Sequence, residues 1–260
     1  MRITKHTALV AVLLLTAAGT AAAHYTFILP EKFKVSPGDS VIVGFLAADG
    51  FPDSTRAPKD LQSALLHSGN ASTPLTLRED GTRQVATITA PAGYSVVTAV
   101  KPAKIEEMKP ASFLKYLQEE NLTAAIESRD KSGETERPGR ERYSMYVKSL
   151  VLAGAPNDGY KRVVGLPIEI VPEKDPLQVK SGQSLPVRVL FRGKPAADLQ
   201  VFAATVGVPN KNLGKTDANG RISVPVKSGR WRLHSILMQR ITEPAADWES
   251  FWATLTFEIP

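Results

Sequence analysis

Three histidines stand beyond residue 23, His24, His67 and His234, and the 260 residues contain no cysteine. Without thiols, the chain has no disulfides, thiolate metal sites, cysteine nucleophiles or lipid attachment through an N-terminal cysteine. Imidazole is then its strongest side-chain ligand for nickel, cobalt, copper or zinc. His24 sits in the stretch TAAAHYTFILP, residues 20–30, directly after three alanines. Residues 1–23 have the parts of a secretory signal: basic Arg2 and Lys5, an apolar run from Ala8 to Ala18, and small residues at its end. A cut after Ala23 makes His24 the first residue of the exported chain. Its α-amine, with a pKa of about 8, and an imidazole nitrogen can then close a chelate ring on one metal ion. Cuts after Ala21 or Ala22 satisfy the same small-residue rule and leave His24 third or second, a one-point ligand.

His234 is the expected partner. In RWRLHSILM, residues 230–238, strand alternation sends Trp231, Leu233 and Ser235 to one face and Arg232, His234, Ile236 and Met238 to the other. His234 therefore leaves the expected core face, and Met238 follows it on the same side as a thioether that would suit Cu(I) if it came close. His67, in LLHSGN, is expected at the C-terminal end of a short helix, where a cation is favourable, and is the third candidate ligand. Oxygen donors could come from the loop Ala48 to Asp53 or from Asp247 and Glu249. Phosphate loops, dinucleotide fingerprints, HExxH helices and G-x-S-x-G elbows do not occur in the sequence, so no enzyme class is supported.

The elements that must position these residues are mostly strands. Runs of alternating or β-branched residues recur at 25–29, 40–45, 84–90, 94–101, 143–152 and 163–171, separated by turn signals such as Ser36-Pro37-Gly38-Asp39. From Lys109 to Ser128, Phe113, Leu114, Leu117, Leu122 and Ile126 recur at helical spacing with Pro110 near the start, which predicts a helical insertion. The following stretch 127–142 balances acidic against basic residues around Gly and Pro and is expected to be a solvated loop. Pro172 and Pro176 bracket charged residues, placing a domain boundary there. Further strands are expected at 177–180, 185–191, 199–204, 221–226, 231–238 and 253–259, with Asn219-Gly220 marking a hairpin. The expected architecture is all-β: a signal peptide (1–23), an N-terminal β-sandwich (24–171) with a helical insertion at about 109–128, and a C-terminal β-sandwich (172–260).

The composition, 43% hydrophobic and 22% charged, is that of a chain able to bury a core. The net charge of +6 falls to +4 without Arg2 and Lys5 and is spread without basic runs interleaved with aromatics, so a nucleic-acid partner is not expected. No apolar stretch reaches the ~20 residues a membrane-spanning helix needs.

Three further segments carry a family resemblance. These are Ala23-His24 with the strand and Ser36-Pro37-Gly38-Asp39 after it; FLKYLQEENL (113–122) leading to RERYSMYVKSL (140–150); and DWESFWATLTF (247–257). With them the chain resembles a bacterial periplasmic family described as a domain of unknown function, whose members are often labelled nickel or cobalt uptake components. The resemblance implies two immunoglobulin-like or prealbumin-like domains and a metal-linked periplasmic role. It places His24 and His234 on family histidine positions, offers no match for His67, and finds acidic residues at 49–53 where many relatives carry a histidine-bearing loop. Three readings follow. The first is capture of Ni(II), Co(II) or a copper ion for an inner-membrane transporter. The second is a non-metal interaction module of the cell envelope. The third is a copper oxidase with a two-histidine brace.

Overall fold

The alternating runs become strands whose two faces are both covered, so that one sheet lies at the centre of the molecule. The computed structural model describes residues 25–53 and 56–260; His24 and the signal segment lie outside the described residues. In chain order the strands are β1 (Tyr25–Pro30), β2 (Lys34–Val35), β3 (Ser40–Ala48), β4 (Gln62–Ser68), β5 (Ala71–Pro74), β6 (Arg78–Asp80), β7 (Arg83–Thr89) and β8 (Gly93–Met108). Two helices follow, α1 (Pro110–Glu119) and α2 (Thr123–Lys131), then β9 (Gly139–Ala153), β10 (Ile168–Pro172), β11 (Ser184–Phe191) and β12 (Lys194–Pro195). The chain ends with β13 (Gln200–Thr205), β14 (Val208–Lys215), β15 (Arg221–Pro225), β16 (Gly229–Arg240) and β17 (Trp248–Ile259).

The central sheet runs β14-β13-β16-β17-β9-β8-β4-β5, with β2 added beside β9. Its middle is the parallel pairing of β17 with β9, which joins strands from either side of residue 172 into one continuous ladder. A four-stranded sheet, β1-β3-β7-β6, covers one face of its N-terminal half. A second small sheet, in which β11 pairs with β10, β12 and β15, covers the opposite face of its C-terminal half. The architecture is thus all-β, two sandwiches built on a shared sheet, with a helical insertion.

The register separates the two faces. Leu233, Ala253, Leu255, Leu150 and Val96 point into the core shared with β10, β11 and β15. His234, Thr254, Val147 and Ala99 form one row on the other face, toward β1 and the helices. β1 is fastened there by Thr254 and Thr256, whose hydroxyls donate to the carbonyls of Thr26 (3.1 Å) and Ile28 (2.5 Å).

Several expectations are corrected. The Leu65 to Ser68 segment is strand, not helix, because it pairs with β8 and turns into β5 at Gly69. Residues 217–220 form a tight turn, yet the flanking strands join different sheets: β14 pairs with β13, and β15 with β11. A Cβ on Gly220 would meet the Val189 carbonyl oxygen at 2.6 Å, so only glycine lets this turn seat against β11. The helical insertion is two helices, broken at Asn121 (φ 51°). The charged 127–142 stretch is anchored: buried Arg129 donates to the carbonyls of Glu134 (2.6 Å) and Arg137 (2.6 Å), and β9 begins at Gly139.

Candidate functional site

His234 is buried, 1% exposed, although alternation alone sends it away from the core. The correction has a simple cause, since the sheet's second face carries its own core of Tyr25, Phe27, Tyr116, Trp252 and Ile236. The imidazole lies parallel to the Phe202 ring at 4.9 Å, and the Tyr25 ring sits 4.4 Å away. Phe202 is placed by the ladder, being directly opposite His234 on β13. Nε2 of His234 lies 3.0 Å from Oε2 of Glu120. The Tyr25 hydroxyl donates to the other oxygen of the same carboxylate. Nδ1 of His234 is buried and has no hydrogen-bond partner among the described residues. Burial lowers the His234 pKa, with the Glu120 contact pulling the other way, so the ring is held neutral near neutral pH. Burial raises the Tyr25 pKa, and Glu120 raises it further, which keeps the phenol protonated.

Glu120, 4% exposed, is the C-cap residue directly after α1. Pro110 opens this helix, where the missing N–H costs nothing, and Phe113, Tyr116 and Leu117 bury one face of it. Phe113 can approach β9 because residue 139 is glycine; a Cβ there would lie 2.1 Å from Phe113 Cγ. Past the helix end, Asn121 donates to Gln200 on β13 at 2.7 Å. Tyr116 stacks on Trp252 and donates to Glu141 at 3.0 Å, and Ser250 donates to the same Glu141 oxygen. Burial pushes the Glu141 carboxyl up to about 7, its hydrogen bonds to Ser250 and Tyr116 acting against that.

Arg232, two residues before His234 on the same face, is 0% exposed. Its guanidinium lies 4.2 Å from the Tyr25 ring centre and 5.3 Å from that of Phe27. It donates to Asn210 Oδ1 (2.5 Å) and to the Gly50 carbonyl (3.4 Å), while its Nε has no partner among the described residues. Burial lowers its pKa to about 10.

Of the sequence-predicted site, His24 lies outside the described residues, and the described candidates do not gather around His234. β1, which begins one residue after His24, reaches His234 through Tyr25. His67 does not join them. It lies on β4, four strands from β16, about 19 Å at the usual strand spacing. It also points to the opposite face, because it pairs with Val96 in the other core. Both its nitrogens are taken, Nδ1 by Ser72 (2.8 Å) and Nε2 by Thr98 (2.9 Å). Met238 is four residues along β16, about 13 Å from His234. Asp247 and Glu249 are engaged by Arg140 and Arg142. Among the described residues no three His, Cys, Asp or Glu side chains gather to hold a metal ion. Glu120, Tyr25 and Arg232 were not singled out by sequence; only Arg232 carried a readable signal, its placement on the His234 face.

None of the described helices is long and apolar enough to cross a membrane. No curated protein matches the chain. Among solved structures, the D0-D1 domain of intimin aligns over 89% of this chain and 97% of its own, at 14% identity and a TM-score of 0.21. The Yersinia pseudotuberculosis adhesin InvE covers 89% of this chain and 58% of its own, at 13% identity and a TM-score of 0.21. Three N-terminal domains of the Hoc outer capsid protein of bacteriophage RB49 cover 90% and 59%, at 15% identity and a TM-score of 0.20. The β architecture stands on the strand pairing above, independent of these matches. The family model "Domain of unknown function (DUF4198)" matches residues 21–239, well over half of the chain, and the protein belongs to that family.

Proposed function

We propose that the exported chain binds a transition-metal ion, nickel, cobalt or copper, in the periplasm, and hands it to an inner-membrane transporter. In this reading the ligands are the α-amine and imidazole of His24 and the Nδ1 of His234. The observation that carries it is the pairing of Tyr25 with His234: the first described residue rests its ring on an imidazole whose Nδ1 is buried and without a partner among the described residues. A buried polar atom without a partner costs about 1–3 kcal/mol, and a neutral imidazole nitrogen of this kind is the donor these metals take. His24 precedes Tyr25 in the sequence, and a cut after Ala23 gives it the second donor. His67 takes no part, since its ring is saturated by hydroxyls on the far face. When bound, the ion supplies a labile cargo bond to nitrogen donors, and the protein's part is to hold the His234 ring fixed and neutral.

The test is calorimetric titration of Ni(II) and Cu(II) into protein beginning at His24 and into protein carrying one extra N-terminal Ala. The extra residue should weaken binding by more than about tenfold, or ~1.4 kcal/mol. Equal affinities for the two forms would overturn the amine-plus-imidazole site.

A further inference from the structure

We propose that Glu120 is a positioning residue that makes Nδ1 the ligating nitrogen of His234, and that the helical insertion serves to hold this carboxylate against β16. The consequence for metal rests on the function proposed above; the geometry rests on hydrogen bonding alone.

A neutral imidazole has one N–H and one lone pair, and the partner of either nitrogen fixes which is which. Oε1 of Glu120 accepts the Tyr25 hydroxyl, and with Oε2, 3.0 Å from Nε2, accepting in the same way, the proton of His234 resides on Nε2 and the lone pair on Nδ1. The carboxylate cannot turn away easily, because its other oxygen accepts the Tyr25 hydroxyl. Nor can the imidazole swing to exchange its nitrogens, as Phe202 stacks on it at 4.9 Å and Tyr25 crowds it at 4.4 Å. A carboxylate behind a ligating histidine fixes the tautomer and raises ligand basicity, the usual outer partnership of a metal-binding imidazole.

His67 provides an internal comparison. It too is buried in the same sheet, at 6% exposure, yet hydroxyls meet both of its nitrogens, as a ring kept for structure requires. At His234 one nitrogen is oriented by a carboxylate, and the other has no partner among the described residues. The insertion makes this possible. β16 has β13 and β17 as neighbours in the ladder, and their side chains opposite His234 are Phe202 and Thr254, neither of them a carboxylate. The carboxylate must therefore come from above the sheet, and α1 brings it there through Tyr116 on Trp252 and Asn121 on Gln200.

The test reads the histidine side chains of metal-free, 15N-labelled mature protein by NMR, with His67→Gln used for assignment. His234 is expected as the single Nε2–H tautomer. Glu120→Gln should keep that tautomer, because its amide oxygen still accepts, whereas Glu120→Ala should lose the preference and weaken Ni(II) or Cu(II) binding by about 10–100-fold. An Nδ1–H tautomer in the unsubstituted protein overturns the proposal, as does an unchanged tautomer in Glu120→Ala. The unsubstituted protein decides the first point even if Glu120→Ala fails to fold. If the tautomer follows Glu120 but neither metal binds, the metal function fails and the positioning stands. If metal binds and the tautomer is Nδ1–H, the reverse holds.

Discussion

Replacing Glu141 by Gln should change how stability depends on pH, and the direction follows from where that carboxyl sits. Glu141 is 2% exposed, and its partners are the Tyr116 hydroxyl at 3.0 Å and the Ser250 hydroxyl. Burial raises its pKa from the ordinary 4.5 to about 7. A carboxyl raised on folding contributes stability that is present below its unfolded pKa and is lost as pH climbs through the folded one. A rise from 4.5 to about 7, at ~1.4 kcal/mol per pH unit, amounts to about 3 kcal/mol. Gln keeps an acceptor oxygen for Tyr116 and Ser250 but does not titrate. Subtracting its unfolding free energy from that of the unsubstituted protein thus removes the other titrating groups. Urea unfolding between about pH 4 and pH 8 should show this difference falling by about 3 kcal/mol toward high pH. A gap that stays constant across that range would refute the argument that Glu141 folds as the protonated acid.

Two other substitutions test the opposite face of the sheet. Lys148 and Glu169 are an ion pair at 2.9 Å with both side chains 1% exposed, so Lys148→Met should cost about 3–5 kcal/mol in chemical unfolding by leaving a buried carboxylate unpaired. A loss below ~1 kcal/mol would show that Glu169 is rehydrated or protonated. His67→Ala should leave metal affinity unchanged while lowering stability by about 1–3 kcal/mol through the orphaned Thr98 hydroxyl, which is buried; a drop in affinity would return His67 to the ligand set.

Strand alternation identified many of the strands in all three sheets, because β1, β3, β7, β8, β11 and β16 all carry runs that alternate or stay apolar. What alternation could not supply is which face of β16 is solvated, since a sheet covered on both sides buries both sets of side chains. His234 and Arg232 were accordingly read as leaving the core, and both are buried. The partner of His234 was hidden by distance along the chain: Tyr25, Glu120 and His234 are contributed by three remote segments that meet only in the folded sheet. Glu120 itself lies in a Gln-Glu-Glu-Asn run whose pattern looks like an exposed helix end. The short helix expected at His67 failed for a different reason. A Leu-Leu-His-Ser run suits either period, and pairing with β5 and β8 decided it.

The two buried polar clusters of the central sheet differ in a way that bears on function. On one face, Lys148 donates to Glu169 and to the Arg162 carbonyl, and Glu169 also accepts the Val164 and Gly165 N–H groups. Those charges fix the 162–165 segment, and neither side chain leaves a buried polar atom without a partner. On the other face, Glu120, Arg232, Tyr25 and His234 interrupt an apolar core and, among the described residues, still leave His234 Nδ1 and Arg232 Nε unpartnered. Apolar residues of the same shape would hold β1 and α1 on the sheet at least as well, because buried polar groups seldom outperform them and unpartnered ones do worse. The two clusters therefore differ in satisfaction: the Lys148 pair has its polar atoms partnered, whereas the His234 cluster does not among the described residues. The excess polarity of the latter, concentrated where β1 begins, is the physical reason to seek the protein's chemistry there.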